Sequence, residues 1–348
     1  MAVPASAKSL TVGGAVLPVL RRLPMRIVVL GDTGCRVKGT DTQDCNDSEH
    51  WPFPTIARLA AAQRPDLVIH IGDYVYRETP CPPRRAGCVG SPFGDNWPTW
   101  DADLFQPAAP LLAAAPWVFA RGNHESCARA ATGWFRILDP APRPLTCPAL
   151  SPAFEASLGD MSLFVLDSSE ANDNLAVGPD VTDLSKAVDG LGGALAHHPG
   201  WIVTHRPIWA LAPISHIGPV WPLEIGLNAT EQRVLDARDL SGVGLVLSGH
   251  VHHFAAYSFG RARPPQLIIG TGGDLRAFHD PPYARDPDVA LDGLPATSLT
   301  ISKFGYLVLD RVAGGWSGAF RGLHDEVIAT CSLHQRQLTC ASTSGAQR

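Results

Sequence analysis

Eight short runs rich in Val, Ile and Leu recur along this chain, separated by longer helix-compatible stretches. They are Arg26 to Leu30, Leu67 to Ile71, Trp117 to Ala120, Ser162 to Leu166, Trp201 to Thr204, Gly244 to Leu247, Gln266 to Ile269 and Tyr306 to Leu309. Runs this continuous lack the alternation of a half-exposed strand. They predict strands buried on both faces beneath helices such as Thr55 to Gln63 and Ala229 to Ala237. The rhythm as a whole predicts α/β layering. Between the strands lie Pro-, Gly- and Trp-rich stretches, Arg77 to Leu104, Ser168 to Gly193 and Leu275 to Thr297, whose length predicts loops that wall a site. No repeat, linker or shift of composition divides the chain, so the expected organisation is an extension over residues 1–24 and a single domain over residues 25–348.

In open α/β sheets, ligands gather beyond the carboxyl ends of strands. Here the runs lead into Gly31-Asp32-Thr33-Gly34, Gly72-Asp73-Tyr74-Val75-Tyr76, Gly122-Asn123-His124-Glu125, Thr204-His205 and Ser248-Gly249-His250-Val251-His252-His253. The glycines are expected to serve tight turns that need positive φ and no Cβ beside an ion. His250 and His252 stand two apart in what reads as an extended segment, which would turn both imidazoles to one side. Asp73 and Tyr76, three apart where a strand gives way to a turn, can bring two oxygens to one ion. Asp32, Asp73, Tyr76, Asn123, His205, His250 and His252 together make a mixed oxygen and nitrogen set too large for one tetrahedral zinc. The set suits two octahedral-leaning ions about 3.5–4 Å apart with one bridging carboxylate. Taken singly, Asp32, Asp73 and Asn123 read equally as turn or cap residues, and Tyr76 as a tethered core aromatic.

As an ordered set, these blocks resemble the calcineurin-like metallophosphoesterases and, within them, the purple acid phosphatases. The resemblance spans roughly Arg26 to His253, with Gly270-Thr271-Gly272-Gly273 as a weaker echo. Gly34 stands where most of the superfamily has a histidine, and Tyr76 follows the second aspartate, as in the purple phosphatase variant. The resemblance implies a four-layer αββα sandwich of two mixed sheets flanked by helices. It implies Asp32, Tyr76 and His252 around Fe(III), Asn123, His205 and His250 around Fe(II), Zn(II) or Mn(II), and Asp73 bridging. The implied reaction is hydrolysis of small phosphate monoesters by a metal-bound hydroxide attacking phosphorus in line. A phosphodiesterase acting on cyclic or other nucleotides remains an alternative on the same scaffold, and a non-catalytic phosphate- or metal-binding protein is a third reading. His124, beside Asn123, is the candidate to contact phosphate and protonate the leaving oxygen. His216 is a second candidate, although it requires a short insertion in Leu211 to Ser215 relative to the family. A trivalent ion also accounts for a phenolate in place of an imidazole, and the metal pair outweighs its anionic ligands by enough to attract a phosphate dianion.

That local attraction matters because 28 basic and 33 acidic residues leave a net charge of −5. No broad basic field exists, so nucleic-acid duplex binding is not expected. No stretch reaches the ~18 apolar residues of a membrane span, and the oligomeric state is left open. The eight cysteines fall into close pairs, Cys35 and Cys45, Cys81 and Cys88, Cys127 and Cys147, and Cys331 and Cys340. Local disulfides are the simplest of roughly 105 connectivities and predict a periplasmic or secreted protein; reduced cysteines in a cytosolic enzyme are the alternative. The apolar run Leu10 to Leu20 precedes Arg21 and Arg22, an order of charge opposite to that of a signal peptide, whereas Ala5-Ser6-Ala7 is compatible with the remnant of a cleavage site. His70, His197, His198, His253, His279, His324 and His334 read as ordinary surface or core histidines. Asp41, Asp44, Asp47 and Glu49 lack the spacing of an EF-hand and read as a solvated loop. Arg121 is expected in a salt bridge, and Trp97, Trp100 and Trp134 in the core.

Overall fold

The computed structural model describes residues 7, 10–213, 224–276, 284–285, 288–291 and 293–343. Two sheets dominate it. The first contains β1 (Arg26–Leu30), β2 (Leu67–His70) and β3 (Trp117–Phe119), which run parallel. The second contains β4 (Phe154–Ser157), β5 (Ser162–Val165), β6 (Gly200–Val203), β7 (Val243–Ser248), β8 (Phe254–Ser258) and β9 (Gln266–Ile269), and there β5, β6, β7 and β9 are mutually parallel. It extends antiparallel through β10 (Ala284–Arg285), β11 (Asp288–Leu291) and β12 (Leu294–Ile301). The first sheet is completed by a meander of β13 (Tyr306–Val312), β14 (Gly315–Arg321), β15 (Val327–His334) and β16 (Gln337–Ser342), added antiparallel to β1. Strand orders are β16-β15-β14-β13-β1-β2-β3 in the seven-stranded sheet and β10-β12-β8-β9-β7-β6-β5-β4 in the nine-stranded one, with β11 beside β12.

Alternation along each buried strand builds the layers. Ile27, Val29, Leu67 and Ile69 of one sheet meet Leu163, Val165, Trp201, Val203, Leu245 and Leu247 of the other in a shared inner core. The intervening residues point outward. Val28, Leu30 and Val68 pack under α1 (Phe53–Ala62) and α2 (Gln106–Ala114), together with Trp100 and, from α3 (Ala131–Ile137), Trp134. Phe164, Ile202 and Val246 pack under α4 (Gly178–Asp189) and α5 (Ala229–Leu235). This is the αββα sandwich implied by the resemblance. All eight strand runs read from the sequence are present, with ends shifted by a residue or more in most of them.

Three differences have physical causes. The stretch Ser168 to Gly193 is not all loop, because α4 occupies its second half. Its buried stripe is only Leu184 and Val188 among polar residues, too narrow to stand out in sequence. Strands β4, β12 and β14 to β16 went unread because they alternate or carry Gly, Thr and Ser, as strands with one less buried face do; β8 is buried but follows the histidine block directly and has two alanines in place of branched residues. Trp97 is 58% exposed and stacks on Phe105, whereas Trp100 and Trp134 are buried.

All four local cysteine pairs are disulfides: Cys35–Cys45, Cys81–Cys88, Cys127–Cys147 and Cys331–Cys340. The last joins directly opposed residues of β15 and β16. Among the described residues no cysteine is free, and no helix is long and apolar enough to cross a membrane. Such covalent pairs persist in oxidising compartments.

Candidate metal centre

The parallel strands of both sheets deliver their carboxyl ends to one edge. Backbone bonds tie the emerging turns together: Asp32 N donates to Gly72 O (3.0 Å), Thr33 N to Asp73 O (3.1 Å), Gly249 N to His205 O (2.8 Å) and Asp274 N to Asp32 O (2.9 Å). On this floor the seven predicted side chains converge. Tyr76 Oη lies 2.7 Å from Asp73 Oδ2, 3.1 Å from Asp32 Oδ1 and 3.2 Å from His252 Nε2. Asn123 Oδ1 lies 2.8 Å from His250 Nδ1 and 3.0 Å from His205 Nε2. Asp73 Oδ2 is common to both groups, since it also lies 3.2 Å from His205 Nε2. Asp73, His205 and His250 each offer one atom to a group whose members all lie within 4.8 Å of one another.

The glycines act here through size more than through conformation, which corrects part of the sequence reading. Positive φ falls on Asp32 (56°), Asp73 (60°) and His250 (68°), all non-glycine, as is common where strain is stored at a functional site. His250 and His252 are therefore not two apart in an extended strand; a left-handed kink at His250 aims both rings at the centre. Gly122 is required because a Cβ there would fall on Asp73 Oδ1 and lie 2.8 Å from Glu125 Oε2. Gly72 needs both properties, with φ of 100° and its missing Cβ only 2.6 Å from His205 Nδ1.

Donor chemistry tests whether this set fits cations. His205 Nδ1 faces the Ile71 carbonyl at 2.8 Å and His252 Nδ1 the Leu275 carbonyl at 2.6 Å, so each neutral ring carries its hydrogen there. Their Nε2 lone pairs then face the acceptor oxygens of Asn123, Asp73 and Asp32 across 3.0–3.3 Å. Acceptors crowded against acceptors need shared positive charge. The titration tendencies say the same: burial opposes charge on His205, yet Asp73 and then Asp32 raise it to about 9. His252 is likewise raised to about 9 against burial, by Asp274 and Asp32. Burial, with the Asp73 and Asp32 carboxylates, pushes the Tyr76 phenol well above its ordinary value. Cations placed among these groups would relieve that crowding.

His124 stands beside the cluster. Its ring packs on Tyr76 with centroids 3.8 Å apart, Nδ1 lies 3.0 Å from Glu78 Oε1 and Nε2 4.0 Å from Asp73 Oδ2. Its backbone N–H donates to Asp73 Oδ1 at 2.8 Å, leaving Oδ2 for the centre. His216 lies outside the described residues, as does His279. His70 is a satisfied core histidine, 2.9 Å from Thr33 Oγ1 and stacked on Tyr74. Arg121 is buried in an ion pair with Asp167 at 3.1 Å. His253 is buried with neither ring nitrogen hydrogen-bonded.

The sequence reading missed a surrounding shell. Glu125 accepts four backbone N–H bonds, from Asp73, Tyr74, Val75 and Gly122, at 2.9–3.2 Å. Arg36 sits over the Tyr76 ring, 4.9 Å from its centroid, and pairs with buried Asp274, which reaches His252 Nδ1 at 3.4 Å. Arg206 and Asp173 both touch His250. Glu125 and Arg206 adjoin the predicted donors in sequence, and Asp274 follows the Gly270–Gly273 segment, so position was the available signal. Asp173 lies in the Ser168 to Gly193 stretch expected to wall the site, but nothing singled out this carboxylate within it.

The profile of the calcineurin-like phosphoesterase family matches residues 25–254. The chain belongs to that family. It is accordingly a metal-dependent phosphoesterase of a family built around a binuclear metal centre. Among solved structures, the fold is similar to that of PhoD, with a TM-score of 0.56, 12% identity and coverage of 95% of this chain and 74% of the other. It is also similar to the purple acid phosphatase PPD1 of yellow lupin (Lupinus luteus) seeds, with a TM-score of 0.50, 14% identity and coverage of 92% of this chain and 54% of the lupin chain. No curated protein sequence matches significantly.

Proposed function

We propose that this phosphoesterase hydrolyses phosphate monoesters with two metal ions, one held by Asp32, Tyr76 and His252 and the other by Asn123, His205 and His250. Asp73 bridges them. The observation that carries the reading is that one atom, Asp73 Oδ2, lies 2.7 Å from Tyr76 Oη and 3.2 Å from His205 Nε2, at the junction of two donor triads. When bound, such ions neutralise phosphoryl oxygens and activate water as the nucleophile. The phenol of Tyr76, between two carboxylates, favours Fe(III) on its side, with Fe(II), Zn(II) or Mn(II) on the other. His124 lies where it can donate a proton to the leaving oxygen, its ring fixed between Tyr76 and Glu78. The four disulfides favour a periplasmic or secreted protein, and the two-sheet core favours residues 25–348 as one catalytic domain following an extension over residues 1–24.

The test is kcat/KM on metal-replete protein for an aryl phosphate monoester and the matching diester, from acidic to neutral pH. A strong monoester preference is expected. A diester preference would keep the centre and overturn the substrate assignment, and turnover of neither would overturn the enzymatic role proposed for these residues.

A further inference from the structure

At the edge opposite the metal centre, where the parallel strands begin, the two sheets enclose a cavity of about 290 Å3. Its walls come from the starts of β5, β6 and β7 in one sheet and from β13, β14 and the β15–β16 turn in the other. Trp201 and Trp316 are buried there and meet edge-on, with centroids 5.0 Å apart, which makes a rigid apolar wall. The Arg311 guanidinium lies 4.6 Å over the Trp316 ring. Its Nη1 pairs with Asp160 at 2.8 Å and its Nε donates to Pro24 O at 3.2 Å, but Nη2 has no hydrogen-bond partner. Arg336 is held more loosely. Among the described residues its guanidinium makes one long contact, 3.5 Å from Nη1 to Ser241 O, Nε has no partner, and no carboxylate forms an ion pair with it. Burial opposes its charge, and Asp239 offsets only part of that. Two arginines against Asp160 leave the cavity positive in a chain of net charge −5.

Two backbone features at this cavity run against fold stability. The β15–β16 turn is two residues long, and both Gln335 (φ 47°) and Arg336 (φ 69°) are left-handed. Turns of this kind favour Asn-Gly, and side chains such as Gln and Arg are strained in them. Gly244 stands within β7, where glycine weakens a strand and commonly marks a place that a ligand approaches closely. Packing does not demand it, since a Cβ there would stand 3.7 Å from Gly200 O and 3.8 Å from the Trp201 ring. We propose that this cavity is a second ligand site, taking a small oxyanion with an apolar body. Arg336 and Arg311 hold the carboxylate or phosphate group, and the body lies along Trp201 in the room left by Gly244. The strained turn is the means of keeping Arg336 at the cavity.

The experiment titrates the metal-loaded full chain calorimetrically with benzoate, phenylphosphonate, inorganic phosphate and benzyl alcohol. Wild type is compared with Arg336→Gly and Gly244→Val. Wild type is expected to bind benzoate or phenylphosphonate at a site that weakens roughly 10-fold or more in either variant, and to bind the neutral alcohol more weakly by a similar factor. Anions held at the metal centre are recognised by their persistence in both variants, whose kcat/KM is expected to be unchanged. Arg336→Gly is expected to raise Tm, because glycine relaxes the turn while the ligand is lost. Preference for phenylphosphonate over benzoate would assign a phosphate-bearing ligand, and the reverse a carboxylate. Binding unchanged in both variants, alcohol binding as tight as benzoate, inorganic phosphate as tight as phenylphosphonate, or no binding of any probe overturns the proposal. A lowered Tm in Arg336→Gly would make Arg336 a structural part of the turn and overturn its assignment to the ligand.

Discussion

Replacing Glu125 by Gln tests how the centre's backbone is held. Glu125 is fully buried, with Oε1 accepting from Tyr74 N (2.9 Å) and Val75 N (3.2 Å) and Oε2 from Asp73 N and Gly122 N (both 3.1 Å). The amide of Gln keeps one oxygen and presents an NH2 group where the other stood. Whichever way it turns, two buried backbone donors lose their acceptor and face another donor. At about 1–3 kcal/mol for each buried unsatisfied group, the substitution costs about 2–6 kcal/mol. The damaged turn carries Asp73 at positive φ, so metal content falls with stability.

The reasoning assumes an ionised Glu125. Burial and the Asp73 charge push this carboxyl up to about 8, while its hydrogen bonds from Tyr74 and Val75 oppose that rise. Four N–H donors converging on two oxygens leave no acceptor for a carboxyl hydrogen, and the cations proposed beside Asp73 would remove the repulsion, so the charged form is the one that fits. Urea unfolding of metal-loaded wild type and Glu125→Gln at neutral pH measures the difference. A loss below about 1 kcal/mol would mean that Glu125 is carried as the neutral acid, whose O–H Gln merely imitates, and would refute the argument.

Tyr76→Phe is expected to abolish a visible tyrosinate-to-iron absorption band in iron-loaded protein; an unchanged spectrum removes Tyr76 from the ferric side. His124→Ala is expected to slow esters with poor leaving groups far more than those with good ones, and equal losses would mean that His124 is not the proton donor. Gly122→Ala is expected to cost about 1–3 kcal/mol, because its Cβ falls on Asp73, and to lower metal content, as read by unfolding and elemental analysis. Glu231, buried near Arg206, Asp173 and His205, is pushed up to about 8 mainly by burial, against a hydrogen bond from Thr204. Between its ordinary 4.5 and 8 the folded chain keeps a proton that the unfolded chain has lost, so stability falls as pH rises through that window. Glu231→Gln should flatten that slope in urea midpoints between pH 5 and pH 8; an unaltered slope refutes the assignment.

The central strands and the convergence of the seven side chains were legible because each is a local pattern: an apolar run, then a turn, then a polar residue with few reasons to follow a strand. The cysteine pairs were legible because they are close in sequence. Asp173 was not, since it reaches His250 across 77 positions, and no local rule distinguishes it from other loop carboxylates. The reason for the glycines was misread for the same cause. Positive φ is a local property and easily invoked, whereas the contact between Gly122 and Asp73 exists only once β2 and β3 lie side by side. Helix α4 and the meander β13 to β16 were partly or wholly missed because tertiary burial, more than local periodicity, holds them.

The division of donors between the sheets has an energetic consequence. Every oxygen donor, Asp32, Asp73, Tyr76 and Asn123, follows a strand of the seven-stranded sheet, and every nitrogen donor, His205, His250 and His252, follows a strand of the nine-stranded sheet. Each proposed ion takes ligands from both, so neither sheet alone holds a complete half of the centre. The spacing of donors is then set by the inner core in which Ile69 and Ile71 meet Val203 and Leu247, packed too densely to yield gradually. Ions bound across the two sheets stabilise only their docked arrangement, by RT ln(1 + [M]/Kd) for each, about 4 kcal/mol at a thousandfold excess over Kd. On the proposed assignment, metal would therefore clamp the two layers together as well as supply the reactivity.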